Sequence, residues 1–354
     1  MSSTSAQAFE TLWLELPVPI GGAALRLCAP VEPPDRIAVD IARNGWTAPA
    51  PLRLLLDLAT PGTTVLDLGA HLGTVSLCAA RLGAKVIAVE ASPRNAACLE
   101  TSALANGVDV TVLNVAVGAS HGHVHFREEG PFGQVTDDPA APRVEALSVP
   151  EILERVGVAR ADIVKIDVEG QELAVLDGMG DLLSREDSPA VLIEGNGFTL
   201  AGVGLTPNDL LDALQNAGLR TWRIGDGALI PVGPDNIQPE TVCDYLASRS
   251  DPPWPELPPL RDTDVVTQLT AEASHPVWSH RLYAAMALRR VDPALVSRRE
   301  TIAAIERLLL DPVADVSNAT RWWLERRDAT TIASIAQSFH ALADVIGESV
   351  AHEL

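Results

Sequence analysis

The chain has 354 residues, with a hydrophobic fraction of 47% and a charged fraction of 21%. That balance fits a globular protein of two domains at roughly 150 residues each. Its 47 acidic side chains outnumber 26 basic ones, for a formal net charge of −21, so the field disfavours nucleic acid and anionic membranes as partners. Glu10 and Glu15 interrupt the first apolar residues and no basic n-region precedes them, which excludes a secretory signal. No apolar run approaches the ~18 residues of a membrane span. Cys28, Cys78, Cys98 and Cys243 lack CxxC spacing, so reduced thiols in the cytoplasm are expected rather than a disulfide framework or a zinc site.

Residues 1–62 read as an N-terminal extension ending in a leading helix around PLRLLLDLA (51–59). From 63 to 250, short apolar runs alternate with helical stretches. TTVLDLGA (63–70) precedes TVSLCAARLG, KVIAVEA (85–91) precedes SPRNAACLETSALANG, and VTVLNVAV (110–117) follows. ADIVKIDVEG (161–170) precedes QELAVLDGMGDLLSRE, and AVLIEGN (190–196) precedes a helix opening at Thr206-Pro207. Runs such as TVLDL and VIAVE are apolar on both faces, as strands covered on both sides by helices must be. The expectation is an α/β fold with a doubly wound, Rossmann-like parallel sheet.

Five prolines in DPPWPELPPLRD (251–262) read as a linker. Beyond it only helical periodicity remains, which predicts an all-α C-terminal domain over 251–354. HPVWSHRLYAAMALRRVDP (275–293) aligns with DPVADVSNATRWWLERRDA (311–329), pairing Pro276 with Pro312, Leu288 with Leu324 and Asp292 with Asp328. Such a period resembles a HEAT-like repeat; a plain helical bundle is the alternative. Two repeats leave apolar ends, so Trp278, Tyr283, Trp322 and Trp323 need the α/β domain or a second subunit as cover, making a homo-oligomer one expectation.

The most informative stretch is Asp67-Leu68-Gly69-Ala70-His71-Leu72-Gly73. Gly69 lets backbone approach a ligand, and Gly73 permits a tight start to the next helix. A dinucleotide fingerprint would read GxGxxG and seat a pyrophosphate on the helix N-terminus. Here DxGxxxG puts Asp67 where that anion would lie, which argues against NAD. A carboxylate there suits a cationic ligand such as S-adenosylmethionine. Glu90 and Ala91 end the second strand, with Glu90 placed to accept from a ribose diol, and Asn114-Val115 ends the third, where an adenine would lie. The bland reading is that Asp67 and Glu90 are helix caps.

VLDLGAHLGTVS, VIAVEASPRN, LNVAVG and above all IVKIDVEGQE resemble the FkbM family of S-adenosylmethionine-dependent methyltransferases. The resemblance covers about residues 35–245 and closes on VCDYLA. It implies a Rossmann-like fold and O-methylation of a hydroxyl on a small molecule: a sugar, a polyketide or another secondary metabolite. The helical tail lies outside it.

Methyl transfer from a sulfonium is an in-line displacement, so the protein must align donor and acceptor and take the acceptor's proton. Asp167 and Glu169 follow the fourth strand, and Glu194 and Asn196 end the fifth. Asp167, Glu169 and Glu194 are the candidate base or orienting groups, and Asp167 also borders the cofactor. Alternatively, Asp167, Glu194 and Asn196 hold Mg²⁺ through oxygen ligands. His71 either approaches the cofactor's carboxylate or the acceptor, or merely marks the start of a helix. His121, His123 and His125 alternate on an expected outer strand and read as a solvated face rather than a zinc site. A binding or scaffold module on the same fold, recruiting a partner through its tail, is the rival reading. Intact Asp67, Gly69, Gly73 and Glu90 argue against it.

Overall fold

The computed structural model describes residues 9–16, 24–33, 35–44, 54–55, 58–128, 132–224, 229–232, 242–249, 263–276, 281–282, 284–285, 288, 291–296 and 298–324. At its centre is an eight-stranded sheet. Five parallel strands run β5 (Val110–Leu113), β4 (Lys85–Val89), β3 (Thr64–Leu68), β10 (Ile163–Ile166) and β11 (Ala190–Asn196). β14 (Val242–Ser248) inserts antiparallel beside β11, and β12 (Arg220–Ile224) and β13 (Leu229–Pro231) complete the edge. Strand order reverses between β3 and β10. A doubly wound sheet opens a crevice at the carboxyl ends of its strands at such a point.

Alternation along the strands explains the two faces. Val65, Val86 and Ala88 enter one buried cluster, with helices 74–81 and 93–106. Leu66, Leu68, Ile87 and Val89 enter another, with helices 149–155, 172–179 and 207–216. Successive strand side chains point to opposite faces, so a doubly covered strand has to be apolar throughout. Helix 93–106 is stopped by Gly107 in the left-handed region at φ 61 and started by Ser92, whose side chain accepts from Asn95 N.

The stretch expected as an N-terminal extension is built into the first cluster. β1 (Thr11–Leu16) pairs antiparallel with β2 (Leu25–Pro30), and α1 (Arg36–Asn44) follows. Leu16, Leu25, Leu27, Leu54, Leu55 and Leu58 are buried there. Ser102 Oγ accepts from Cys28 N at 2.8 Å, and Asn106 bridges the backbone of Arg26. The expected leading helix is present at Leu54, Leu55 and Leu58.

VTVLNVAV divides between two sheets. Asn114 interrupts it, and Ala116–Val117 (β6) joins a separate sheet ordered β6, β9 (Arg143–Leu147), β7 (Gly122–Arg127), β8 (Gln134–Thr136). The histidine strand β7 is therefore interior to a four-stranded sheet, not an outer strand of the main one. His121, just before it, has Nε2 3.5 Å from Glu145, and His125 on it has Nδ1 2.8 Å from the Ala141 carbonyl.

Past the main sheet, the described residues are helical at 263–272, 293–296, 299–309 and 314–324. They share a core of their own that includes Leu269, Leu288, Ile305, Leu308 and Leu324. Leu288 and Leu324, equivalent in the proposed repeat, are both buried, and Arg281 pairs with Asp311 at 2.5 Å. The proline-rich segment, Trp278, Tyr283 and the side chains of Trp322 and Trp323 lie outside the described residues.

Candidate active site

A cavity of about 360 Å³ opens at the carboxyl ends of the parallel strands. Gly69, His71, Glu90, Ala91 and Val115 line it from the β3, β4 and β5 ends; Asp167, Glu169, Glu194 and Asn196 line it from β10 and β11. Ile37 of α1, Phe126 and Val135 of the second sheet, and Phe132 just before β8 supply apolar wall.

Gly69 and Gly73 act for different reasons. A Cβ on Gly69, at φ 76, would lie 1.7 Å from the Asp167 carbonyl oxygen, so glycine lets the β3 and β10 ends touch. A Cβ on Gly73, at φ 85, would lie 1.9 Å from Leu99 Cδ1, so this glycine seats helix 74–81 against helix 93–106 and does not line the cavity.

Asp67 does not reach the cavity as its position suggested. It is fully buried; Ser76 Oγ donates to its Oδ2 at 2.7 Å, and its Oδ1 lies 3.3 Å from Lys165 Nζ. Lys165 also lies 3.2 Å from Asp167 Oδ2 and donates to the Gly69 carbonyl at 2.9 Å. Burial alone would push this ammonium down, but Asp167 and Asp67 hold it above its ordinary value. One lysine thereby fixes the glycine turn to the carboxylate of the neighbouring strand. The sequence carried a signal for it: a lysine in an otherwise apolar strand, two residues before Asp167.

Glu90 has 7% of its surface exposed; its Oε2 accepts from His71 N at 2.7 Å and its Oε1 from Ser92 N at 2.8 Å. Burial pushes its carboxyl above the usual range. The Asn114 amide donates to the Glu90 and Ala91 carbonyls at 2.8 and 3.1 Å. It braces that loop, and Val115, not Asn114, lines the cavity.

Opposite stand three carboxylates. Oxygens of Asp167, Glu169 and Glu194 all lie within 4.8 Å of one another. Asn196 does not join them: its Oδ1 accepts from Phe198 N and Thr199 N, capping helix 197–202. Glu169 is held at φ 49, a left-handed conformation that costs a non-glycine residue energy and needs support. Glu172 supplies it. This fully buried carboxylate accepts from Val168 N and Gly170 N.

The cluster is electrostatically frustrated. Burial, then Asp167 and Glu172, push Glu169 up to about 7. Burial, then Asp167, Asp244 and Glu169, push Glu194 up to about 9. Asp244, opposite Glu194 in the β11–β14 register, is pushed up to about 7 by burial and Asp167. Asp244 was not foreseen, because its partner lies 50 positions away in the chain and meets it only through strand pairing. Titratable groups this perturbed, gathered in a cleft, make the cluster a candidate site for acid–base or cation chemistry.

A glycine turn at a topological switch point, an acidic residue ending the adjacent strand, and a carboxylate cluster facing them are the parts of a methyltransferase site. Comparison with known proteins agrees. A model of the methyltransferase FkbM domain matches residues 67–221. A hexuronic acid methyltransferase, AglP, of Haloferax volcanii is 30% identical over 175 residues, spanning 48% of this chain and 69% of that protein. The chain belongs to the FkbM methyltransferase family and is an S-adenosylmethionine-dependent methyltransferase. Among solved structures it is similar to a precorrin-6y C5,15-methyltransferase of Geobacter metallireducens (14% identity, 57% of this chain and 87% of that one, TM-score 0.36). A second is the 16S rRNA N2 G1207 methyltransferase of T. thermophilus, solved with AdoMet and guanosine (19%, 69% and 53%, TM-score 0.38).

Proposed function

We propose that this protein O-methylates a hydroxyl group of a sugar or another small polyol, with Glu169 as the general base. The observation that carries this reading is a cavity-lining carboxyl raised to about 7, whose Oε2 is buried without a hydrogen-bond partner among the described residues. A base with that affinity for protons is matched to neutral pH. The acceptor oxygen attacks the methyl carbon, the carbon–sulfur bond breaks, and its electron pair returns to sulfur, giving S-adenosylhomocysteine. The hydroxyl proton passes to Glu169. Asp167, fixed by Lys165, orients the reacting groups. Glu90 holds the ribose, while Ala91 and Val115 border the adenine. The Haloferax relative, named for a hexuronic acid, supports a sugar as the acceptor class.

The test is turnover on a panel of glycosides, followed by S-adenosylhomocysteine release and by the mass of the product. Glu169→Gln is expected to lower kcat by about 10²–10⁴-fold, the usual worth of a general base, with cofactor affinity unchanged. A variant with wild-type kcat refutes the assignment.

The convergence of three carboxylates favours a second reading, in which a divalent ion such as Mg²⁺ is held by Asp167, Glu169 and Glu194 and lowers the acceptor's pKa. Full turnover in EDTA eliminates it; loss restored by Mg²⁺ selects it.

A further inference from the structure

S-Adenosylmethionine ends in an amino acid, which brings a carboxylate into a cavity already crowded with carboxylates. Glu90, Asp167, Glu169 and Glu194 all line it. They suit the ligand's ribose, ammonium and sulfonium, and those that are ionised repel its carboxylate. Among the described lining residues His71 is the one side chain able to carry positive charge. Lys165 is not in the lining and is engaged by Asp67, Asp167 and the Gly69 carbonyl.

His71 is held in place from three directions. Its backbone sits at φ 53, a left-handed conformation uncommon outside glycine, which asparagine, aspartate and histidine adopt more readily than other residues. Its N–H donates to Glu90 Oε2 at 2.7 Å, and its ring Nε2 lies 2.8 Å from Asp35 Oδ2. Asp35 is itself fixed: 2% of its surface is exposed, and its Oδ1 accepts from Ala38 N at 2.9 Å at the start of α1. Burial opposes its ionisation, yet the hydrogen bond and charge of His71 hold Asp35 below the usual carboxylate range. An ionised Asp35 takes Nε2–H and leaves Nδ1 as the other polar atom of the ring.

We propose that His71, oriented by Asp35, seats the carboxylate of the cofactor's amino-acid end. The two carboxylates would each accept one N–H of a single imidazolium, a charge-assisted arrangement stronger than hydrogen bonds between neutral groups. Asp35 lies upstream of the matched family region, which starts at residue 67. α1 thereby becomes part of the cofactor site through one ion pair. Asp35 acts here as a positioning residue, because it reaches the ligand only through His71.

The experiment compares two ligands that differ by this carboxylate alone. S-Adenosylmethionine and decarboxylated S-adenosylmethionine are titrated calorimetrically into the full chain, without acceptor. His71→Asn and His71→Gly both tolerate the left-handed backbone, so the loop keeps its shape in each. Both are expected to bind S-adenosylmethionine at least fivefold more weakly and the decarboxylated ligand as wild type does. Asp35→Asn, which leaves the His71 backbone untouched, should give a smaller loss of the same selectivity. Equal loss for both ligands would make the pair a structural brace and overturn the proposal. Unchanged S-adenosylmethionine affinity in the His71 variants would overturn it too. Should those variants fail to fold, Asp35→Asn decides: wild-type preference between the ligands refutes the role, and a reduced preference upholds it.

Discussion

Glu194→Gln turns the frustration of the acidic cluster into a measurable stability. In the folded chain the Glu194 carboxyl is pushed up to about 9, from an ordinary value of 4.5, by burial and by Asp167, Asp244 and Glu169. The native state thus holds this proton more tightly than the unfolded chain does. Its contribution to stability is complete below about pH 4.5 and is lost as pH rises towards 9. At about 1.36 kcal/mol per pKa unit, that interval sets a ceiling of about 6 kcal/mol. The carboxylates share the proton burden, and relaxation lowers the cost further, leaving about 2–4 kcal/mol at pH 8. Glutamine keeps the shape and cannot ionise. The ligand-free variant should therefore melt above wild type at pH 8, by roughly 4–16 °C at about 2–4 °C per kcal/mol. Near pH 4.5 the difference should close to about 2 °C or less. Scanning calorimetry at the two pH values measures both quantities. Equal melting temperatures at pH 8, or an offset independent of pH, would show that Glu194 ionises as an ordinary carboxylate and that the cluster is not frustrated.

Three further outcomes are expected. Lys165→Met leaves fully buried Asp67 without its ion-pair partner and should cost about 3–5 kcal/mol in urea denaturation, part of which Asp67→Leu in the same chain should restore; a loss below about 1 kcal/mol would contradict this. Glu90→Ala should weaken S-adenosylhomocysteine by about 1.5–3 kcal/mol, and unchanged affinity would remove Glu90 from the ribose site. A chain ending near residue 250 should still fold and bind S-adenosylhomocysteine, since the helical segment has a core of its own, while its activity or oligomeric state changes; a soluble truncated protein that no longer binds would place the tail within the catalytic core.

Much of the fold was legible in the sequence because its signals are local. A strand covered on both faces must be apolar throughout, so TVLDL, VIAVE and IVKI announce themselves without reference to one another. The glycines of the turn after β3, Gly69 and Gly73, were legible for the same reason, as were the acidic residues that follow or end the strands: Glu90, Asp167, Glu169 and Glu194. What decides between lining a cavity and bracing it is not local. Asp67 turns inward because Lys165 stands beside it in the β3–β10 register. Asn196 is taken by a helix cap, Asn114 by two carbonyls, and neither position distinguishes these fates in the sequence. Asp244 and Asp35 reach the site only through an antiparallel strand and an N-terminal helix far away in the chain. The sequence specifies which groups can carry charge; only packing decides which charges meet, and burial multiplies the energy of each meeting.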